Sequence, residues 1–351
     1  MRKHARAAGR AATTIGLIAA SMMATMLATN APAAPLAAAR ATPIAVGMVR
    51  GPEDLELVPA TRLVVVSQLY ATRDHATGDL ALLDTATDTV QPLPIRIMPE
   101  PGWGDSACAA PPRHIGPHGI HLSRRRDGRL RLLVVNHEER ESIEFLELDP
   151  RDRQAIWRGC VRSADAFNDV VATPEGGFVA TVPTAHGQPE KVDGSVGGFL
   201  VEWRPARGLR RLPRSMAAYN NGVQISPDGH TLFFAAWTAR ELIRYDRRRG
   251  RVTGRVELRF MPDNLAIGRG GTFLVAGIDG LPGPGTPRRD DQLSPAFTVA
   301  RFDPRTMRIA PVYHGAPGEM AGASIALPVG RHLYLGSYTG RRMLKLAAPR
   351  Q

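Results

Sequence analysis

Five side chains in this sequence are hard oxygen donors placed at the starts of apolar, β-type runs. They are Glu53 in GPEDLEL, Asn168 in FNDVVAT, Asn221 in YNNGVQI, and Asp263 and Asn264 in MPDNLAI. Two carboxylates and three amides suit Ca²⁺, which takes about six to eight oxygens in irregular geometry. Zinc prefers His and Cys. Taken singly, Asn-Asp and Asn-Gly are ordinary turn formers; the recurrence at successive strand starts is what points to an ion. Asp54 and Asp169 follow Glu53 and Asn168 directly, and adjacent residues of an extended strand face opposite ways. Each pair can therefore serve two ions, one catalytic and one structural.

The elements that must position these residues recur along the chain. Short β-type runs such as LRLLVVNH, GFVATVP, TLFFAAW, TFLVAG and HLYLGSY are each followed by a strand and a polar turn. The cycle repeats six times at a spacing of roughly 40–65 residues, close to the period of propeller blades. The expected fold is an all-β, six-bladed β-propeller. Ser226-Pro227-Asp228-Gly229 reads as a hairpin turn within a blade. Residues 281–297 read as an extended surface loop in blade five, and GRGG at 268–271 as a hairpin tip. Gly and Pro interrupt every longer helical candidate. Blade six is one strand short, and a strand around Ile44–Val49 is expected to close the ring, since an open one leaves unpaired edges.

Of 351 residues, 43% are apolar and 22% charged, enough for a core and too little charge for a disordered chain. Residues 1–33 have a basic start, an apolar run over 11–28 and a small-residue Ala31-Pro32-Ala33 site. They read as a secretory signal peptide ahead of a single propeller domain over 34–351, in a periplasmic or secreted protein; the other reading is an uncleaved anchor. No later stretch has the length and apolarity of a membrane span. The leader carries four of the 45 basic residues and none of the 33 acidic ones, so the formal charge of +12 falls to +8 beyond it. The arginines are scattered at turns without an aromatic ladder, which argues against a nucleic-acid partner. In an exported chain Cys108 and Cys160 are candidates for a disulfide, the alternative being two buried thiols. Nothing in the sequence fixes an oligomeric state.

The order PEDLEL … PHGI … LLVVNH … NDVVA … NGVQISPDG … DNLAI resembles the paraoxonase family of six-bladed, calcium-dependent lactonases and arylesterases. More distantly it is similar to the SMP-30/gluconolactonase and strictosidine-synthase-like propellers. The likeness spans roughly 51–340. It implies a catalytic calcium on Glu53, Asn168, Asn221, Asp263 and Asn264. It further implies a structural calcium on Asp54, the carbonyl of Ile120 and Asp169, and a histidine dyad of His118 and His137. Trp237, sixteen residues past Asn221, is expected to line the substrate pocket. The sequence departs from the family in having no Cys at either chain end, so a Cys108–Cys160 bridge would be an internal substitute. It also has little chain after the leader from which to build a docking helix.

The chemistry so implied is hydrolysis of a small-molecule lactone or ester. Negative charge grows on the carbonyl oxygen and a cation can take it. His118 is the natural general base with His137 orienting it, and Asp263 competes for that role. Zinc on the His114, His118 and His121 cluster is disfavoured, because residues three apart on a strand face opposite sides. Covalent serine catalysis lacks a G-x-S-x-G motif, since Ser337 sits one place too early between Gly336 and Gly340. A reading from another class is a non-catalytic envelope propeller binding a protein or polysaccharide.

Overall fold

The structure is a computed structural model that describes residues 41–71, 76–108, 110–281 and 295–348. The expected leader at 1–33 and most of the expected 281–297 loop lie outside the described residues. The expected all-β, six-bladed propeller is what is found.

Blade one is β2 (Pro52–Leu57), β3 (Leu63–Ala71), β4 (Ala76–Asp84) and β5 (Thr89–Pro92). Blade two is β7 (Pro117–Arg124), β8 (Leu130–Asn136), β9 (Ser142–Asp149) and β10 (Gln154–Arg162). It departs from the four-strand expectation, since β6 (Ile95–Ile97) adds a fifth strand parallel to β10. Blade three is β11 (Val170–Ala172), β12 (Phe178–Val182), β13 (Phe199–Arg204) and β14 (Gly208–Arg211). Blade four is β15 (Asn220–Ile225), β16 (Thr231–Ala236), β17 (Glu241–Asp246) and β18 (Arg251–Glu257). Blade five is β19 (Met261–Ile267), β20 (Phe273–Ile278), β21 (Phe297–Asp303) and β22 (Arg308–Gly315). Blade six joins β23 (Ile325–Val329), β24 (His332–Gly336) and β25 (Met343–Ala347) to the N-terminal β1 (Thr42–Ile44). The closing strand is therefore earlier and shorter than the expected Ile44–Val49. Positive φ at Ala45 and Gly47 turns the chain away from β25, so pairing ends at Ile44↔Met343.

The core is divided into six layers, each between neighbouring blades. In β8, Leu132 and Val134 pack towards blade one while Leu133 and Val135 pack towards blade three. In β16, Leu232 and Phe234 face blade three and Phe233 and Ala235 face blade five. A strand covered on both faces reads as an unbroken apolar run, which explains LLVV and LFFAA. Truncating one such residue, for example Leu132→Ala, is expected to cost about 2–5 kcal/mol. The disulfide between Cys108 and Cys160 is formed, with Cα atoms 5.5 Å apart, and it ties the 98–116 loop to β10.

The innermost strands do not run regularly into the channel. Register shifts break the pairing between Pro52 and Asp54, Pro117 and Ile120, Asn220 and Val223, and Pro262 and Leu265. A bulge bends the strand and re-aims a side chain. The residues inside these four irregularities are Glu53, His118-Gly119, Asn221-Gly222 and Asp263-Asn264. Strands also crowd the axis here: a Cβ at Gly119 would lie 2.5 Å from Asp169 Oδ1, and one at Gly222 would lie 2.6 Å from Asn264 Cα.

Candidate active site

The four bulges and the start of blade three bring together side chains up to 211 positions apart in sequence. Asn264 Nδ2 donates to Glu53 Oε1 at 2.7 Å, and the Asn221 side chain is hydrogen-bonded to Asp263. The carbonyl of Asn168 accepts Gly119 N–H at 3.1 Å, which sets blade three against blade two. Glu53 is held from behind, its backbone carbonyl accepting Ser324 Oγ–H at 2.6 Å. All of these residues except Asp263 are buried, Glu53 at 1% exposure and Asn264 at 2%; Asp263 is half-buried.

Three oxygens in this cluster have no hydrogen-bond partner despite complete burial: Glu53 Oε2, Asn221 Oδ1 and Asn264 Oδ1. An unsatisfied buried acceptor costs about 1–3 kcal/mol, and three such oxygens together form a donor set that a cation could satisfy. The electrostatics agree. Burial first, then the neighbouring Asp54, Asp263 and Asp169 charges, push the Glu53 carboxyl well above its usual range. Burial, reinforced by Asp169, raises Asp263 to about 8. A positive ion among them reverses that penalty. Among the described residues no three His, Cys, Asp or Glu side chains alone are arranged around one point; the amides complete the donor set.

Asp54 and Asp169 lie one level deeper. Asp54 accepts N–H groups from Leu55 at 2.8 Å and Ile120 at 2.7 Å. Asp169 accepts them from Val170 and Val223, both at 2.7 Å. Each carboxylate thus laces its own blade to the next inner strand. Ile120 meets Asp54 through its N–H, whereas its carbonyl was the atom expected at an ion. Burial raises both acids, Asp169 to about 7. Asp54 and Asp169 line a cavity of about 210 Å³ together with Glu56, His121, Gln224 and Asn264.

His118 and His137 meet. His118 Nδ1 is 3.0 Å from His137 Nε2, and His118 Nε2 lies 3.8 Å from Glu53 Oε1. Burial first, then His137, lowers the His118 pKa well below the usual value, keeping the ring neutral. His121 is separate, paired with Glu56 at 3.2 Å. Trp237 is half-buried at the end of β16, its ring 5.0 Å from that of Tyr219.

Three further residues join the site in the structure. Glu141 Oε2 lies 2.8 Å from His137 Nδ1. The Tyr338 ring lies 6.1 Å from His118. Tyr219 holds a positive φ of 59°, and its hydroxyl donates to Glu190 at 2.5 Å. For Glu141, the acidic position four residues after His137 in a short turn was the available clue.

Fold and cluster define a six-bladed β-propeller whose inner strands gather a carboxylate–amide set beside paired histidines. Residues 112–281, just under half of the chain, match the family model described as SMP-30/Gluconolactonase/LRE-like region. Human serum paraoxonase/arylesterase 1 is 23% identical over 214 residues, covering 57% of this chain and 58% of that protein. The chain thus matches little more than half the length of this relative. Among solved structures, a gluconolactonase from Xanthomonas campestris is 17% identical, with a TM-score of 0.55 over 89% of this chain and 90% of that one. A luciferin-regenerating enzyme is 13% identical, with a TM-score of 0.55 over 88% and 95%. At such identities the structural likeness shows the fold. The resemblance to SMP-30/gluconolactonase-like propellers, and more weakly to paraoxonase, holds at that coarse level.

Proposed function

We propose that this protein is a calcium-dependent hydrolase of small lactones or aryl esters. The observation that carries the reading is the set of orphaned buried oxygens on Glu53, Asn221 and Asn264, beside an imidazole held neutral by burial. The donor set is oxygen-only and mixes carboxylate with amide, which suits calcium and not zinc. Asn168 and Asp263 complete the set, while Asp54, Ile120 and Asp169 are assigned to a deeper structural ion. When bound, calcium supplies Lewis-acid polarisation of the substrate carbonyl. His118 Nε2 faces this cluster and takes the proton from water, with His137 behind it. Asp263 is the weaker candidate for the base because the Asn221 amide already engages it. Trp237, Tyr219 and Tyr338 are assigned to the walls that hold the substrate's apolar part. The family match, the paraoxonase similarity and the gluconolactonase neighbours support hydrolysis of a lactone-type bond. The disulfide accords with an exported protein, as does the basic-then-apolar leader at 1–33.

The test is hydrolysis of a lactone and aryl-ester panel by residue 34 onward, in chelator and after calcium is restored. Activity lost to chelator and regained with calcium is the expected result. A folded, calcium-loaded protein that hydrolyses nothing would overturn the proposal and favour a binding scaffold.

A further inference from the structure

We infer that Glu141 is the positioning residue that sets the direction of the His118–His137 proton relay; the inference rests on the hydrolytic reading above. Glu141 closes the 137–141 turn between β8 and β9. Buried Asn136 fixes that turn by donating to the carbonyls of Glu138 at 3.0 Å and Arg140 at 2.9 Å. The adjacent Arg140 pairs with Glu144 at 2.9 Å, leaving the Glu141 carboxylate for His137.

The direction follows from donor and acceptor identity. A carboxylate only accepts hydrogen bonds, so at 2.8 Å Glu141 Oε2 requires the proton of His137 on Nδ1. In a neutral imidazole the other nitrogen is then an acceptor. His137 Nε2 therefore accepts from His118 Nδ1–H across 3.0 Å. His118 is left with its lone pair on Nε2, the nitrogen that faces Glu53. One carboxylate thus fixes the free lone pair two rings away. Without it, His137 can carry its proton on Nε2 and donate to His118 Nδ1, which turns His118 Nε2 into an N–H donor with no basic function.

In the step served, water gives a proton to His118 Nε2 as its oxygen bonds to the carbonyl carbon and the carbonyl π pair moves onto oxygen. Collapse reforms the carbonyl and breaks the bond to the alkoxy oxygen. That oxygen takes the proton back from His118 Nε2, so one water is added overall. The imidazolium formed in between is stabilised through His137 by the Glu141 charge.

The test compares the wild-type chain with Glu141→Ala and Glu141→Gln, each labelled with ¹⁵N-histidine. The chain has 10 histidines, so His118 and His137 signals are assigned from His118→Gln and His137→Gln spectra. Wild-type His137 is expected to show the Nδ1–H tautomer. Glu141→Ala is expected to lose that signature, whereas Glu141→Gln keeps it because the amide carbonyl still accepts. On a hydrolysed substrate, Glu141→Ala is expected to lower kcat by about ten- to a hundredfold, by analogy with the loss of a carboxylate that orients a metal-bound histidine. KM should stay within about twofold, and Glu141→Gln should recover part of kcat. An unchanged His137 spectrum in Glu141→Ala overturns the inference, as does a wild-type kcat. If the wild-type chain hydrolyses no ester, the hydrolytic reading fails by itself, and the spectra still decide the tautomer.

Discussion

Glu53 and Asp54 are neighbours in sequence, both acidic and both buried, yet the fold provides for them differently. Both oxygens of Asp54 are met by backbone N–H groups, one from its own strand and one from blade two. Asp169 repeats the arrangement between blades three and four. One level up, Glu53 Oε2 has no partner, nor do the amide oxygens of Asn221 and Asn264. The deeper acids complete the protein's own hydrogen bonding and hold blades together. The upper set keeps three unpartnered oxygens, the feature on which the proposed calcium site rests. Burial alone does not separate Glu53 from the two deeper aspartates; partnership does.

The largest effect expected from this contrast is on turnover. Asn264→Ala removes an orphaned oxygen and the hydrogen bond that orients Glu53. It should lower kcat/KM by at least about a hundredfold, comparable with losing an electrostatic stabiliser of the oxyanion. The change removes one unpartnered oxygen, Asn264 Oδ1, and leaves another, Glu53 Oε1, so the melting temperature in chelator should barely move. Normal activity in this variant and in Asp263→Ala would remove the upper set from the chemistry.

Asp54→Ala acts in the opposite sense. It orphans the N–H groups of Leu55 and Ile120 and should cost about 2–4 kcal/mol of stability. The loss should be larger in calcium than in chelator, since without the ion the same change relieves repulsion between Asp54, Glu53 and Asp169. Equal losses under both conditions, read from denaturant melts, would mean that no ion reaches the lower level.

The pH dependence couples the two levels. Asp169 at about 7 and Asp263 at about 8 lie above the ordinary aspartate value near 4. With folded pKa values raised, the metal-free folded state binds protons that the unfolded chain releases. The contribution of these two groups to stability is therefore greatest below about pH 4 and is lost as the pH rises towards 8. Calcium opposes that loss, so the melting-temperature gain on adding calcium should grow from pH 5 to pH 8. A gain independent of pH would disconnect the ion from these carboxylates.

Much of this contrast was legible in the sequence, because blades packed on both faces write themselves as unbroken apolar runs, and polar residues at the heads of those runs stand out. What the residues did not disclose depends on where strands slip. A bulge at Pro117–Ile120 decides that His118 turns to His137 while His121 turns to Glu56, and alternation alone cannot place it. The parallel fifth strand β6 depends on pairing with β10, about sixty residues away. The contact of Glu141 with His137 needed the turn geometry, since an acid in a polar turn has no pattern of its own.

The smallest effect belongs to the far end of the channel. His121 and Glu56 form a partly buried pair at 3.2 Å on the wall of the lower cavity. Spacing alone makes them look as chemical as His118 and Glu53. They differ in lying beyond the Asp54–Asp169 level, away from any orphaned carboxylate oxygen, and each already has the other as partner. Partly exposed pairs of this kind contribute about 0–1 kcal/mol. Glu56→Gln should therefore change stability by no more than that and leave kcat/KM within about twofold. A loss of turnover on the scale expected for Asn264→Ala would put chemistry at both mouths and erase the distinction between the unpartnered Glu53 and the paired acids below it.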